Sequence, residues 1–243
     1  MNSLSIEKSL KKQKLLNAML ALGLLAVTGK NLYSATQVAE FDEISVKRIN
    51  VLEEDGQLRM VMANSERSPQ AIKEGKVYMN VGKRPGLIFY NDEGTENGGL
   101  MFRGKKEDGK VNHGLHMSFD RYNQDQTMAL QHIESEDYMI TGMTILDRPD
   151  SDMFSLAPLE EAAQRGDEQA KQQLAELNAD GKLYGVQRAF YGTLNGDAQL
   201  RLNDAEGNIR IRMVVDKLGV ARLEFLNTKG EVVQRLPDDK QGK

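Results

Sequence analysis

One pattern constrains this chain more than any other: a turn glycine with a fixed set of neighbours, used repeatedly. With the glycine as position zero, Gly56, Gly94, Gly207 and Gly230 share one frame. Seven and five residues before each stand two apolar side chains: Ile49 and Val51, Leu87 and Phe89, Leu200 and Leu202, Leu223 and Phe225. Three before stand Glu53, Asn91, Asp204 and Asn227, and two after come Leu58, Ile209 and Val232, while "TENGGL" interrupts the Gly94 copy. Alternating apolar positions that end in acidic or amide and glycine turn chemistry predict strand, turn, strand. The residue at −3 caps the turn through backbone amides, and glycine accepts positive φ. Two copies lack the glycine: "LHMSFDRYNQDQ", with Met117 and Phe119, and "GMTILDRPD", with Met143, Ile145 and Asp147. Because the spacing between copies varies, this is a degenerate repeat and not a strict solenoid period.

The expected fold is therefore mainly β, built from repeated hairpins in a sheet, a β-helix-like stack or a sandwich. Charged residues between the apolar ones, such as Arg201, Arg210, Arg212, Arg222 and Glu224, predict a solvated face. One segment breaks the pattern. "PLEEAAQRGDEQAKQQLAELNADG" predicts an amphipathic helix, with Pro158 near its start, Gly181 as its stop, and Leu159, Ala163, Ala170, Leu174 and Leu177 as its stripe. The predicted organisation is an N-terminal segment over 1–38, a β block over 39–155, the helix over 156–181, a second β block over 182–237 and a polar tail over 238–243.

At the N-terminus, Lys8, Lys11, Lys12 and Lys14 precede fifteen uncharged residues, Leu15 to Gly29. A basic flank followed by an apolar stretch is the order of a signal anchor or a cleaved signal peptide. Both readings stay open, since a span normally needs about 20 apolar residues and Val27 with Gly29 offers a passable cleavage site. Either one predicts membrane contact through residues 15–29 and places the body outside the cytoplasm, periplasmic or at the cell surface, because basic flanks stay inside.

Composition removes several function classes. The net charge of −4 has its signs interspersed, which argues against a nucleic-acid surface. Aromatic content is 6% with no Trp, so a stacking platform for bases or sugars is hard to build. The absence of Cys excludes thiol chemistry and disulfides. "GKKEDGKV" approaches a phosphate-binding loop, but Val111 stands where the motif needs Ser or Thr, and Asp108-Gly109 predicts a hairpin turn. His113, His116 and Asp120, with His132 further on, raise a metal site, yet residues three apart in a strand face opposite ways, so His113 and His116 would not converge. The oxygen-rich loops holding Asp92, Glu93, Glu96 and Asn97, and Asp147, Asp150 and Asp152, lack calcium-loop spacing and predict solvated turns. No catalytic, cofactor or metal-binding residue is assigned.

The runs "FDEISVKRINVLEEDGQLRMVMANS", "GLIFYNDEGTENGGLMFRGKK", "LHMSFDRYNQDQ" and "LDRPD" carry a resemblance. Over roughly residues 41–150 the chain resembles a family of uncharacterised bacterial proteins with an N-terminal hydrophobic segment and a β-rich body. The resemblance implies a fold and an exported location but no chemistry. The expectation is a membrane-tethered or exported, non-enzymatic structural or interaction module with a protein partner. Because Met- and Leu-rich hairpins greatly outnumber helices able to cover them, a homo-oligomer is expected. The alternative is an extracytoplasmic ligand-binding protein or hydrolase using an acidic loop or the histidines.

Overall fold

The computed structural model describes residues 3–35 and 38–238. Contacts divide the chain into two units, Met1–Ser45 and Val46–Lys243. From residue 239 onward, the expected polar tail lies outside the described residues. The first unit contains helix α1 (Ser3–Ala35), which carries both the lysine flank and the uncharged run. Its side chains from Ile6 to Gly29 are exposed, including Leu24 and Leu25 at about 70%. No described helix is long and apolar enough to cross a membrane.

The second unit is built on one twelve-stranded sheet. Its strands are β1 (Arg48–Leu52) and β2 (Leu58–Ala63), then, after a small hairpin, β5 (Gly86–Tyr90) through β9 (Met139–Asp147). Between these last two run β6 (Glu96–Glu107), β7 (Lys110–Asp120) and β8 (Gln126–Glu134). The sheet continues with β10 (Val186–Leu194), β11 (Asp197–Asn203), β12 (Ile209–Val215), β13 (Ala221–Leu226) and β14 (Val232–Leu236). Every strand pairs antiparallel with the sheet strand that precedes or follows it in the chain. The two stretches of β signal on either side of the helical segment thus belong to one sheet, joined where β9 pairs with β10.

The turn frame builds this order. In the four glycine copies, the glycine N–H donates to the carbonyl at −3, and the N–H at −3 donates to the carbonyl at +1. Asn91, Asp204 and Asn227 also accept two backbone amides each through the side chain. The glycines take φ of +71° to +88°, where a Cβ is costly. The glycine-free copy closes in the same way between Arg121 and Asp125, with Asn123 taking the left-handed conformation at φ +50°. In all five hairpins the register shifts between positions −5 and −4, a bulge that recurs at one place in the repeat. "GMTILDRPD" departs from expectation. Its strand, β9, leads into the helices, and Asp147 pairs with Arg188 instead of closing a turn.

Two excursions leave the sheet. Between β2 and β5 lies the hairpin β3 (Ala71–Lys73) and β4 (Lys76–Met79), whose Ile72 packs with Val61, Ala63, Ile88 and Tyr90 as a small core. Between β9 and β10, Asp152 caps a 3-10 turn at Met153–Leu156, followed by α2 (Ala157–Gln164) and α3 (Glu168–Leu177). The expected single helix is broken because Gly166 is left-handed (φ +93°) and Asp167 starts α3 by accepting the amides of Gln169 and Ala170. Phe154, buried, meets Tyr78 edge-on at 4.5 Å between ring centroids.

Candidate functional site: an uncovered apolar face and its polar reverse

Cross-strand partners share a face, so the register shows what each face carries. Position −7 of each hairpin pairs with +6 of the same hairpin, and +6 pairs with −7 of the next. The result is a row across all twelve strands: Ile49, Met62, Leu87, Leu100, Met117, Leu130, Met143, Tyr191, Leu200, Met213, Leu223 and Leu236. Every member is apolar or aromatic. Beside it, −5 pairs with +4 to give a second row from Val51 through Phe89, Phe119, Ile145 and Leu202 to Phe225, interrupted at its end by Gln234.

These rows are far from buried. Met62, Leu130, Tyr191, Met213 and Leu236 are 45–66% exposed, and Val51, Phe119 and Leu202 about 42%. The β3–β4 hairpin stacks against Val61 and Ile88, which are the other face. Over the C-terminal strands the repeat face forms an open groove of about 820 Å³, lined by Met143, Tyr191, Leu200, Met213, Leu223 and Leu236 of the first row.

The opposite face departs from the expectation of a solvated side at Glu224, while Arg210 is exposed and Arg201, Arg212 and Arg222 are half-buried. It holds Phe190 and Glu224, each 1% exposed, and Val61 at 0%. At the junction of β9 and β10, Gly142 and Gly192 are direct partners. A Cβ on either would strike the backbone of the other strand, Tyr191 O or Thr141 O, so only glycine permits this approach.

Over β5–β8 the reverse face carries a polar cluster. Arg84 grips Glu96 with two hydrogen bonds, 2.5 and 2.9 Å, both side chains being largely buried. Burial, then the charge of Glu96, raises the Tyr90 hydroxyl to about 12. Burial, reinforced by Asp125 and Glu96, lifts the Asp120 carboxyl to about 7, and burial pushes the His116 imidazole down. Tyr90 OH, Asp120 Oδ1, His116 Nε2 and Arg84 Nε are buried without a hydrogen-bond partner. His116 and Arg84 line a cavity of about 370 Å³ together with Lys83, Arg103, Met101 and Gln126. Of the four groups only His116 and Arg84 line this cavity; Asp120 and Tyr90 do not.

The residues singled out in the sequence are distributed as follows. His113 and His132 share the repeat face with ring centroids 5.6 Å apart, whereas His116 points to the reverse, as its strand position requires. The acidic loops do not converge. Asp92 pairs with Arg59, Glu93 accepts from the Tyr122 hydroxyl, Glu96 turns inward to Arg84, Asp147 meets Arg188, Asp150 meets Arg121 and Asp152 meets Lys73. Among the described residues no group of three His, Asp or Glu side chains is arranged to hold a metal ion. Asp108-Gly109 is the turn of the β6–β7 hairpin, both residues at positive φ. Tyr90 and Asn203 were not singled out in the sequence, and Asp120 was considered only beside the histidines; all three occupy the bulge position, −4, and each bears a buried atom with no hydrogen-bond partner among the described residues. That shared frame position was the available signal.

No family model, curated protein or solved structure matches this chain.

Proposed function

We propose that this chain is a membrane-tethered or exported interaction module whose sheet pairs through its repeat face with a second copy of itself. The uncovered double apolar row carries the reading. Domains bury an apolar sheet face under a second layer, and this face has none of its own elements stacked on the strands where it is most exposed. A sheet of the same pattern is the natural cover, since two such faces stack about 10 Å apart with interdigitating side chains. Eight side chains of the rows, together with Phe102 and Leu115 alongside, are 40–66% exposed. A contiguous exposed apolar surface of this kind marks an interaction site, and a stable interface buries about 800 Å² per partner.

Tethering is proposed from α1. Its lysines precede an uncharged run that, at about 1.5 Å rise per residue, falls short of a ~30 Å hydrocarbon core. Anchoring therefore needs snorkelling flanks or local thinning, and holding copies on one surface raises their effective concentration. In the acidic loops that the enzymatic alternative would use, Asp92, Glu96, Asp150 and Asp152 each pair with a basic side chain.

The absence of native Cys makes the test clean. Single Tyr191→Cys or Met213→Cys proteins, oxidised in membranes, should form disulfide-linked dimers, whereas Gln131→Cys on the reverse face should not. Equal cross-linking from both faces would refute the pairing. A monomer that co-purifies with bound lipid would hand the same face to an acyl ligand instead.

A further inference from the structure

The C-terminal strands of the reverse face carry an arrangement that the pairing of apolar faces does not use. Phe190, Arg201, Arg212, Glu224 and Arg235 are consecutive cross-strand neighbours on β10 to β14. Glu224 is 1% exposed, yet it stays ionised. Burial alone would raise its carboxyl, but hydrogen bonds and charge from Arg212, with Arg235, hold it below the usual range. Arg212 donates to Oε2, with its Nε at 2.8 Å, and Arg235 donates to Oε1 at 3.0 Å. Arg222 lies 3.8 Å from Oε1 and bonds Asp216 at 2.9 Å. Three arginines therefore meet two carboxylates.

Among the described residues, Arg201 has no acidic partner. Its guanidinium stands 5.1 Å from the centroid of the Phe190 ring, and its Nε is buried with no hydrogen-bond partner. Directly opposite is Arg212, and like charges directly opposite one another destabilise a sheet. Burial, then the charge of Arg212, weakens Arg201's hold on its proton. Phe190 is itself 1% exposed and so a fixed platform that points the guanidinium in one direction.

We propose that Arg201 and Arg212 form a binding site for an anionic oxygen group, a phosphate or carboxylate, supplied by a small ligand or a lipid headgroup. Such a group accepts hydrogen bonds from the planar fork of Arg201 and from the free side of Arg212, and cancels the repulsion between them. Glu224 serves as a positioning residue: it fixes Arg212 and Arg235 and leaves Arg201 to the ligand. About a third of the Arg212 side chain is exposed, so the site is open to approach.

The test is thermal unfolding of the full chain in a non-ionic detergent, with inorganic phosphate titrated against chloride at constant ionic strength. The melting temperature should rise and saturate with phosphate. Arg201→Met keeps the stem on Phe190 and removes the charge. It should melt higher than the parent without phosphate and require about tenfold more phosphate or lose the response, a factor worth about 1.4 kcal/mol. Arg201→Lys, which keeps the charge without the fork, should respond weakly and covers the case in which the Met variant misfolds. Arg210→Met, at a residue paired with Asp204, should respond like the parent. Glycerol phosphate in place of phosphate separates the sources: a response to it alone identifies a headgroup, and a response to both identifies free phosphate chemistry. No rise with either phosphate or glycerol phosphate, or equal responses from the parent and Arg201→Met, would overturn the site.

Discussion

The two ends of the sheet fill the same reverse face in opposite ways. Under β2, β5 and β6 the face is closed by Ile72 of the small hairpin on Val61, Ile88 and Tyr90, a hydrophobic core of ordinary kind. On β12 to β14 there is no such hairpin. There a buried glutamate gathers Arg212, Arg222 and Arg235, and arginine stems replace aliphatic side chains. One repeat frame thus supports two chemistries on its reverse while the first row of the obverse stays apolar across all twelve strands. The frame dictates strand pairing and the repeat face; what fills the other side is set by local insertions.

The largest test of that contrast is Glu224→Ala. It strands three arginines around a vacated buried position, and breaking a buried ion pair costs about 3–5 kcal/mol. Denaturant unfolding should show this loss, and replacing Arg212 with Met in the same chain should recover part of it. Next in size is Ile88→Ala, expected to cost about 2–4 kcal/mol through the cavity it leaves. Its effect should be independent of salt, whereas the Glu224→Ala loss should shift with ionic strength. Should both losses respond to salt alike, the two ends would not differ in kind.

The smallest effect concerns pH and sharpens the boundary between the regions. The carboxyl of Asp120 titrates near 7 in the folded protein against 3.8 ordinarily. An acid whose proton affinity rises on folding contributes stability that is full below about pH 4 and is lost as pH climbs toward 7. Asp120→Asn should therefore flatten the stability profile between pH 4 and 7 and raise stability at pH 8 by roughly 1–3 kcal/mol. Comparing the two proteins by thermal melts at pH 4.5 and 8 measures it, and parallel profiles would show that Asp120 is not held protonated.

Much of the obverse was legible. Ile49, Val51, Leu223 and Phe225 fall in the rows because period-two alternation and turn chemistry are local signals. The reverse was not. Arg212, Arg222 and Glu224 alternate with apolar residues as a solvated face does, and only their convergence across two strands shows that Glu224 is buried. Tyr90 escaped notice, and Asp120 was weighed only beside the histidines, for a related reason. Their meaning comes from the bulge at −4, which turns them toward the reverse face and Glu96, and no spacing in the chain encodes that encounter. In the helical segment, the break at Gly166 was written in the sequence as "RGDE", a stop followed at once by a new cap.

Each strand of the large sheet pairs only with its neighbours along the chain. Such a body is nearly one-dimensional, and its stability is a sum of hairpins and of the seams between them. The strands at either margin, β1 and β14, have one seam where interior strands have two. Opening then begins at the margins and travels inward a hairpin at a time, stalling where extra elements are stacked, at Ile72 near one end and around Glu224 near the other. The core under the small hairpin and the arginine-clasped glutamate act as end-stops of the array, each built from the material its own margin had to hand.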